Sequence, residues 1–256
     1  IECVGQVVET TRGDLQIGQK IVSIMGEMGR AFDGSYAEYA LLPNEQIYPV
    51  DSQLPWSELA AVPETYYTAF GSFKNLQIKE GDSILVRAAT SGVGLAFLKL
   101  VKAQFPQNRV VGAVRSLAKK DLLQQQGFDE IILDERGVLQ TEEKFDKILE
   151  LVGPATLKNS FDHIQSAGII CNTGQLGGKW YVEEFDPIVE IRNNSYLTSF
   201  YSGNVHQQLI DELFSYIDAY KINVSPQRIF SLEQIPAAHS YIESQAGFGK
   251  VVVLND

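Results

Sequence analysis

Apolar positions beyond about residue 80 alternate between two spacings. Short continuous apolar runs, typical of buried strands, are separated by segments whose apolar residues recur with the period of a helix. The predicted strands cover residues 83–86, 110–114, 130–133, 146–152, 168–172 and 195–201, and the predicted helices lie near residues 93–105, 117–126, 155–166 and 206–220. Because parallel strands need crossover connections, this alternation predicts an α/β fold with a parallel sheet covered by helices.

A different pattern occupies the two ends of the chain. Short apolar pieces separated by Gly and Pro fill residues 1–50, as in antiparallel β structure, whereas helical texture begins at Trp56 and is broken at Pro63. The last apolar run, residues 250–254, could pair with the β structure at the start, which would leave an α/β domain inserted in another domain. The predicted domain limits are residues 1–62, 63–218 and 219–256, and the first and last segments belong together.

Composition and charge narrow the function classes. The 256 residues are 45% hydrophobic and 21% charged, which is ordinary for a globular protein. The net charge of -11 would repel nucleic acid and anionic lipid, so we expect neither as a partner. No apolar run approaches the ~20 residues that a membrane span requires. The two cysteines, Cys3 and Cys171, are far apart and form no CxxC site, so we expect a protein of the reducing cytoplasm.

The strongest local signal is an apolar strand that runs through a turn of small residues into a helix. Ser91, Gly92, Val93 and Gly94 stand at the predicted helix start, where backbone N–H groups and the helix dipole would hold a pyrophosphate. The first Gly of the usual GxGxxG pattern is replaced by Ala, either residue 88 or residue 89. A tight turn without nucleotide binding is the alternative.

The end of the second predicted strand indicates which nucleotide would bind. Enzymes that use NAD usually carry an acidic residue there, whereas this chain has Arg115 and Ser116, with Lys119 or Lys120 shortly after. These groups could bind a 2′-phosphate through charge-assisted hydrogen bonds. We therefore predict NADPH rather than NADH as the cofactor, the alternative being that these cations are only solvated surface groups.

These and other pieces of the chain resemble the zeta-crystallin-like quinone oxidoreductases of the medium-chain dehydrogenase/reductase superfamily. The matching pieces are IECVGQVV at residues 1–8, GSYAEYALLP at 34–43, VPETYYTAFGSF at 62–73, AATSGVG at 88–94, NTGQLGG at 172–178 and GKVVVL at 249–254. The resemblance implies a doubly wound Rossmann domain of strand order 3-2-1-4-5-6 inserted in a partial GroES-like β domain. It also implies that about 60 residues normally precede the first piece, so that the chain is truncated at its N-terminus.

The resemblance assigns roles to individual residues. The pyrophosphate would meet Ser91, Gly92 and Val93; the 2′-phosphate would meet Arg115, Ser116 and Lys119; Thr173 and Gly174 would flank the cofactor; and the nicotinamide end would lie near Thr68, Phe200, Tyr201 and Ser202. Tyr66 or Tyr67 would line the substrate cleft, with packing in the core as an equal alternative. No residue is assigned as proton donor.

The same resemblance leads to predictions about metal binding and about the reaction. Zinc-dependent relatives carry a His ligand immediately before the Glu of the first piece, where this chain has Ile1 before Glu2, and the remaining His and Cys residues are scattered. We therefore expect no metal and predict zinc-independent hydride transfer from NADPH to a small-molecule acceptor, a quinone or an α,β-unsaturated carbonyl. The alternative is a truncated nucleotide-binding or interaction protein without turnover. The family is often dimeric through an edge strand such as residues 195–201, so a homodimer is expected.

Overall fold

The computed structural model of the protein describes residues 1–244 and 247–255. The strands are β1 Glu2–Gln6, β2 Lys20–Ile24, β3 Tyr48–Pro49, β4 Ile84–Arg87, β5 Val110–Val114, β6 Glu130–Glu135, β7 Val138–Leu139, β8 Phe145–Glu150, β9 Ile164–Asn172, β10 Tyr196–Ser199, β11 Arg228–Ser231 and β12 Val251–Leu254. The helices are α1 Trp56–Leu59, α2 Pro63–Asn75, α3 Gly92–Gln104, α4 Lys120–Gln126, α5 Leu157–Asp162, α6 Pro187–Glu190, α7 Gln207–Ala219 and α8 Ile235–Glu243, with 3-10 turns at Asn44–Gln46, Leu117–Lys119, Arg192–Asn194 and Leu232–Gln234.

The chain divides into two compact units. The first comprises Ile1–Tyr67 and Ser202–Asp256, and the second is the continuous segment Thr68–Tyr201. In the part of the chain that the structure describes, no helix is long and apolar enough to cross a membrane.

The second unit is built on one sheet of order β10-β9-β8-β4-β5-β6-β7. The strands from β10 to β6 are parallel, and β7 adds an antiparallel edge to β6. Counted along the chain, the parallel strands lie in the order 3-2-1-4-5-6, which confirms the predicted doubly wound fold. The order reverses between β4 and β8, so the loops that follow these strands diverge there and open a crevice at the carboxyl edge of the sheet.

Several element boundaries in this unit differ from the prediction by one or two residues, and the largest difference lies between α5 and β9. The helix predicted near residues 155–166 ends at Asp162, and β9 already begins at Ile164. The reason is pairing with the neighbouring strand: the N–H of Phe145 donates to the carbonyl of His163 at 2.8 Å, and Phe145 is the register partner of Ile164. A bulge and a left-handed backbone at Ala167, with φ of 59°, then bring the strand into line.

The first unit contains two small sheets. Strands β1, β2 and β3 form an antiparallel sheet, whereas β12 pairs in parallel with β11. The expected pairing of the closing strand with the β structure at the start is therefore wrong. Helix α8 lies between β11 and β12 in the chain and supplies the crossover that a parallel pair requires, so the closing strand pairs with its nearer neighbour.

Glu2 connects distant segments of the first unit. Its carbonyl accepts a hydrogen bond from Ser35 Oγ at 2.7 Å, and its carboxylate accepts the N–H of Glu64 at 2.9 Å. Lys250 Nζ forms an ion pair with the same carboxylate and donates to Thr65 Oγ1 at 3.1 Å. Glu2 thereby joins β1, the residues after Gly34, the start of α2 and the segment before β12.

Candidate cofactor site

The turn after β4 contains a residue with a left-handed backbone. Ala88 has φ of 63°, in the region that favours glycine, whereas the spacing of GxGxxG counted back from Gly94 puts Ala89 at the first Gly position. The N–H of Ser91 donates back to the Ala88 carbonyl at 3.0 Å and closes the turn. Holding an alanine in this conformation costs roughly 1–2 kcal/mol, which the surrounding structure must offset.

The start of α3 presents backbone donors beyond this turn. Ser91 is the N-cap, and its Oγ accepts the N–H of Gly94 at 3.1 Å. The N–H groups of Gly92 and Val93 lie in the first turn of the helix, where no preceding turn supplies a carbonyl. A Cβ on Gly94 would lie 3.0 Å from the Ala88 carbonyl oxygen, so glycine allows the helix to start close against the strand. Uncompensated amides and a positive helix end suit a pyrophosphate.

The predicted phosphate-binding residues follow β5, the neighbour of β4. Arg115 comes directly after the strand and is exposed, and Ser116 caps the short 3-10 turn by accepting the N–H of Ala118 at 3.3 Å. Lys119 ends that turn. Because β4 and β5 are adjacent and parallel, these residues and the turn before α3 emerge from neighbouring strands at the same edge of the sheet. The first acidic residue after β5 is Asp121.

Thr173 and Gly174 follow β9 at that edge. Their N–H groups donate to the carbonyl of Glu150, at 2.9 and 3.2 Å, which fixes the loop after β9 to the end of β8. The Thr173 hydroxyl lies 2.8 Å from Ser72 Oγ and 3.4 Å from the sulfur of Cys171, and burial raises the pKa of that thiol. Ser72, which the sequence did not single out, is fully buried. Its signal is only its position on α2, one turn after Thr68.

The four residues predicted at the nicotinamide end have different environments. Thr68 is buried in α2, and its carbonyl accepts Ser72 Oγ at 2.8 Å. The ring of Phe200 lies against the helix at Gly71, where an added Cβ would be 2.1 Å from the ring. Tyr201 is 66% exposed, and Ser202 belongs to the first unit. The structure therefore brings Thr68, Phe200 and Thr173 together around α2.

The two tyrosines before Thr68 are buried. The hydroxyl of Tyr67 donates to the carbonyl of Asn204 at 2.9 Å and accepts the N–H of His206 at 3.0 Å. The hydroxyl of Tyr66 makes one long contact, 3.5 Å from the carbonyl of Asn223. Burial raises the pKa of both phenols above the ordinary value. For Tyr67, these contacts favour packing in the core over lining the substrate cleft.

The residues do not fit a zinc site. Among the described residues no three His, Cys, Asp or Glu side chains approach closely enough to hold a metal ion. The position of the zinc-binding His is Ile1, whose side chain offers no ligand atom, and the neighbouring Glu2 carboxylate is engaged by Lys250. Burial raises the pKa of Cys3 to about 11, so its thiol is protonated at neutral pH.

Comparison with known proteins finds a family that this chain matches. A family model described as zinc-binding dehydrogenase matches residues 126–253, half of the chain. A probable quinone oxidoreductase of Schizosaccharomyces pombe is 23% identical over 99% of this chain and 77% of its own length. Probable polyketide synthase 14 of Dictyostelium discoideum is 23% identical over 95% of this chain, which spans 8% of that relative.

Solved structures share the fold. Bacillus subtilis protein YhfP with NAD bound superposes with a TM-score of 0.84 at 23% identity, covering 99% of this chain and 80% of that one. The YhdH oxidoreductase from Salmonella enterica in complex with NADP gives a TM-score of 0.84 at 17% identity, with the same coverage of 99% and 80%. Similarity at these identities establishes the architecture alone.

Proposed function

The chain belongs to the zinc-binding dehydrogenase family of NAD(P)-dependent oxidoreductases, and we propose that it transfers hydride from NADPH to a quinone or an α,β-unsaturated carbonyl without zinc. The observation that carries the proposal is the strand, turn and helix from β4 to α3. The Ser91 cap, the N–H groups of Gly92 and Val93 and the close approach at Gly94 together form a cradle that suits the pyrophosphate of a dinucleotide.

The preference for NADPH rests on the residues after β5. Solved relatives carry NAD in one case and NADP in another, so relatives alone do not choose between them. An acidic residue would repel the 2′-phosphate, whereas Arg115 can donate two parallel hydrogen bonds and Ser116 and Lys119 lie within the next turn. This arrangement supports NADPH.

The chain's own part in the reaction is binding, orientation and electrostatics. When bound, the reduced nicotinamide would supply the hydride. Thr173, held by Ser72 and by the end of β8, would position that end of the cofactor together with Thr68 and Phe200. Hydroxyl and backbone N–H donors would steady the oxyanion that develops on the acceptor. The quinone oxidoreductase among the relatives supports this acceptor class.

The proposal of a zinc-independent reaction is supported by the lack of a set of zinc ligands among the described residues. Alcohol oxidation through a metal-bound alkoxide needs at least three protein ligands around the ion. Ile1 removes the family's His, and Lys250 occupies the carboxylate of Glu2. The family is described as zinc-binding, but the described side chains of this chain do not form a zinc site.

We also propose that the protein is a homodimer in which the β10 strands of two copies pair. In the described chain β10 pairs with β9 on one side and ends the sheet on the other. Large apolar side chains lie around this edge, including Tyr196 at 61% exposure, Trp180 at 69% and Tyr181 at 82%. An exposed strand edge flanked by aromatic side chains is suited to pairing with a second copy about a two-fold axis.

The cofactor assignment is tested by binding measurements on Arg115→Ala. Loss of a charged donor should weaken NADPH by about 1–3 kcal/mol, roughly 5–150-fold, and leave NADH within about twofold. Cofactor fluorescence gives both affinities. Arg30→Ala, which removes an exposed guanidinium from the first unit, is the matched control and should change neither affinity.

Turnover is tested on the same samples. Addition of a quinone or an enal to the NADPH complex should consume the reduced cofactor, which its absorbance reports. Tight NADPH binding without consumption would favour the alternative of a nucleotide-binding protein without turnover. Equal affinity of the unmodified protein for NADPH and NADH would overturn the assignment of Arg115 to the 2′-phosphate.

A further inference from the structure

Three charged side chains are buried on one face of the sheet, at the carboxyl ends of β4, β6 and β8. The side chains of Arg87 and Glu150 have no exposed surface, and that of Asp134 is 7% exposed. Arg87 Nη2 lies 2.6 Å from Asp134 Oδ2, and Arg87 Nε lies 3.7 Å from Glu150 Oε2. Burial of charges costs free energy of desolvation even when they are paired, so this buried charge cluster points to a role beyond packing.

Arg87 spans the sheet because β5 is small at this point. Its register partner on β5 is Ala113, and the guanidinium reaches beyond β5 to Asp134 on β6. Nη1 donates near α5, to the carbonyl of Thr156 at 3.1 Å and to Ser160 Oγ at 3.0 Å, and Nη2 also donates to the carbonyl of Gly137 at 3.1 Å. In the described part of the chain Asp134 Oδ1 has no hydrogen-bond partner, so that carboxylate serves Arg87 alone.

Glu150 is bonded to the loops as well as to the cluster. Its Oε1 accepts the N–H of Val152 at 2.8 Å and of Gly153 at 3.0 Å, and its Oε2 accepts Ser160 Oγ at 2.6 Å. Its backbone carbonyl accepts the N–H groups of Thr173 and Gly174. One residue therefore holds the loop after β8 through its side chain and the loop after β9 through its backbone.

These two loops have no room to adjust. A Cβ on Gly153 would lie 2.3 Å from the carbonyl oxygen of Gly174, and a Cβ on Gly174 would lie 2.1 Å from that of Leu151. The backbones are thus in direct contact, and a shift of one loop must displace the other. Arg87, at the opposite side of the crevice, directly precedes Ala88 and its left-handed backbone.

We propose that the buried charge cluster positions the cofactor loops, with Glu150 as a positioning residue that sets the loops after β8 and β9. This inference rests on the proposed function, because it assumes that Thr173 and Gly174 flank a nicotinamide cofactor. Glu150 acts through the N–H groups it accepts and does not itself contact the cofactor. Its removal should therefore weaken NADPH and NADH alike, unlike the loss of Arg115.

The test compares Glu150→Gln with Asp134→Asn. Both variants keep the size of the side chain and remove one carboxylate from Arg87, but only Glu150 is bonded to the loops. We expect Glu150→Gln to weaken both cofactors by about tenfold, since hydrogen bonds to charged groups are the strong ones, and Asp134→Asn to change neither by more than about twofold. Thermal unfolding of both variants shows whether their stabilities have fallen equally.

A second readout needs no cofactor. Hydrogen exchange at the amides of Val152, Gly153, Thr173 and Gly174 should be faster in Glu150→Gln than in Asp134→Asn. If Glu150→Gln does not fold, Ser160→Ala, which removes the donor to Oε2 together with one acceptor of Arg87, takes its place.

Equal cofactor affinities of the two variants, or losses that follow their stabilities, would overturn the proposal, and so would equal exchange at the loops. An unmodified protein that binds neither cofactor would instead overturn the proposed function, while the exchange comparison would still decide whether Glu150 holds the loops.

Discussion

Ala88 is a residue whose side chain and backbone conformation disagree. Its φ of 63° is a conformation that glycine adopts without steric cost, yet the chain places a Cβ there. The turn is held by the Ser91 N–H and by the close start of α3, so the cost is met by neighbouring structure. The strain is therefore stored where the pyrophosphate would bind.

Replacing Ala88 by glycine should release this strain. We expect Ala88→Gly to raise the free energy of unfolding by about 0.5–1 kcal/mol, because relief of the left-handed conformation exceeds the added entropy of the unfolded chain. Urea denaturation measures this free energy of unfolding, and the m-value should be unchanged. Ala89→Gly is the control: Ala89 is fully buried and its φ is not positive, so that variant should be less stable. A less stable Ala88→Gly would contradict the strain argument.

Cys3 provides a prediction about pH. Because burial raises its pKa to about 11, alkylation by iodoacetamide should be slow at pH 8 and accelerate about tenfold per pH unit until that pKa. The unfolded thiol ionises near pH 8.5, so this group's contribution to stability is complete below that pH and is lost as the pH rises toward 11. Peptide mass spectrometry follows the reaction, with Cys3→Ser as control. Rapid alkylation of the folded protein at neutral pH would refute the raised pKa of Cys3.

The local structure around several candidate site residues could be predicted from the sequence because its signal is local. Ser91 to Gly94 form the start of a helix and are separated from the preceding strand by three residues, and Arg115 follows the next strand along the chain. The contact of Phe200 with Gly71 and the bond of Ser72 to Thr173 could not be predicted, because they join segments that are distant in sequence. The left-handed backbone of Ala88 could not be predicted either, because composition does not report a backbone angle.

At the scale of elements, strands that are buried on both faces were the most predictable. β5 has the predicted bounds, 110–114, since all five of its residues are apolar or glycine and buried. Where the prediction failed, pairing with another strand decided the outcome. β9 begins at Ile164 because this residue pairs with Phe145 of β8, although the spacing of apolar residues there is helical. β12 pairs with β11 because α8 provides the crossover between them.

The small elements of the first unit depend on side-chain bonds as well as on propensity. β3 has only two residues, and the unit's two sheets are short. Arg12 supports this region by donating to the carbonyls of Asn44 and Ile47, both at 2.8 Å. Such bonds explain why Gly-rich and Pro-rich sequence indicated β structure here without indicating the strand partners.

At the scale of the whole molecule, the edge strand β10 predicts the assembly. We expect the protein to sediment as a dimer and Tyr196→Lys to sediment as a monomer, because a lysine at an exposed strand edge opposes pairing with a second strand. Tyr39→Lys, at a tyrosine of the first unit that is 73% exposed, should remain dimeric. Analytical ultracentrifugation distinguishes these states. A monomeric unmodified protein would rule out the β10 interface.

The ion pair of Glu2 with Lys250 also orders events during synthesis on the ribosome. Lys250 follows Glu2 by 248 residues, so the first unit cannot close around Glu2 until the segment that contains Lys250 has been synthesised. The second unit is continuous from Thr68 to Tyr201, and its sheet can assemble while later codons are still being read. Strands β1, β2 and β3 are therefore synthesised before the second unit but can complete their own unit only after β11 and β12 have followed.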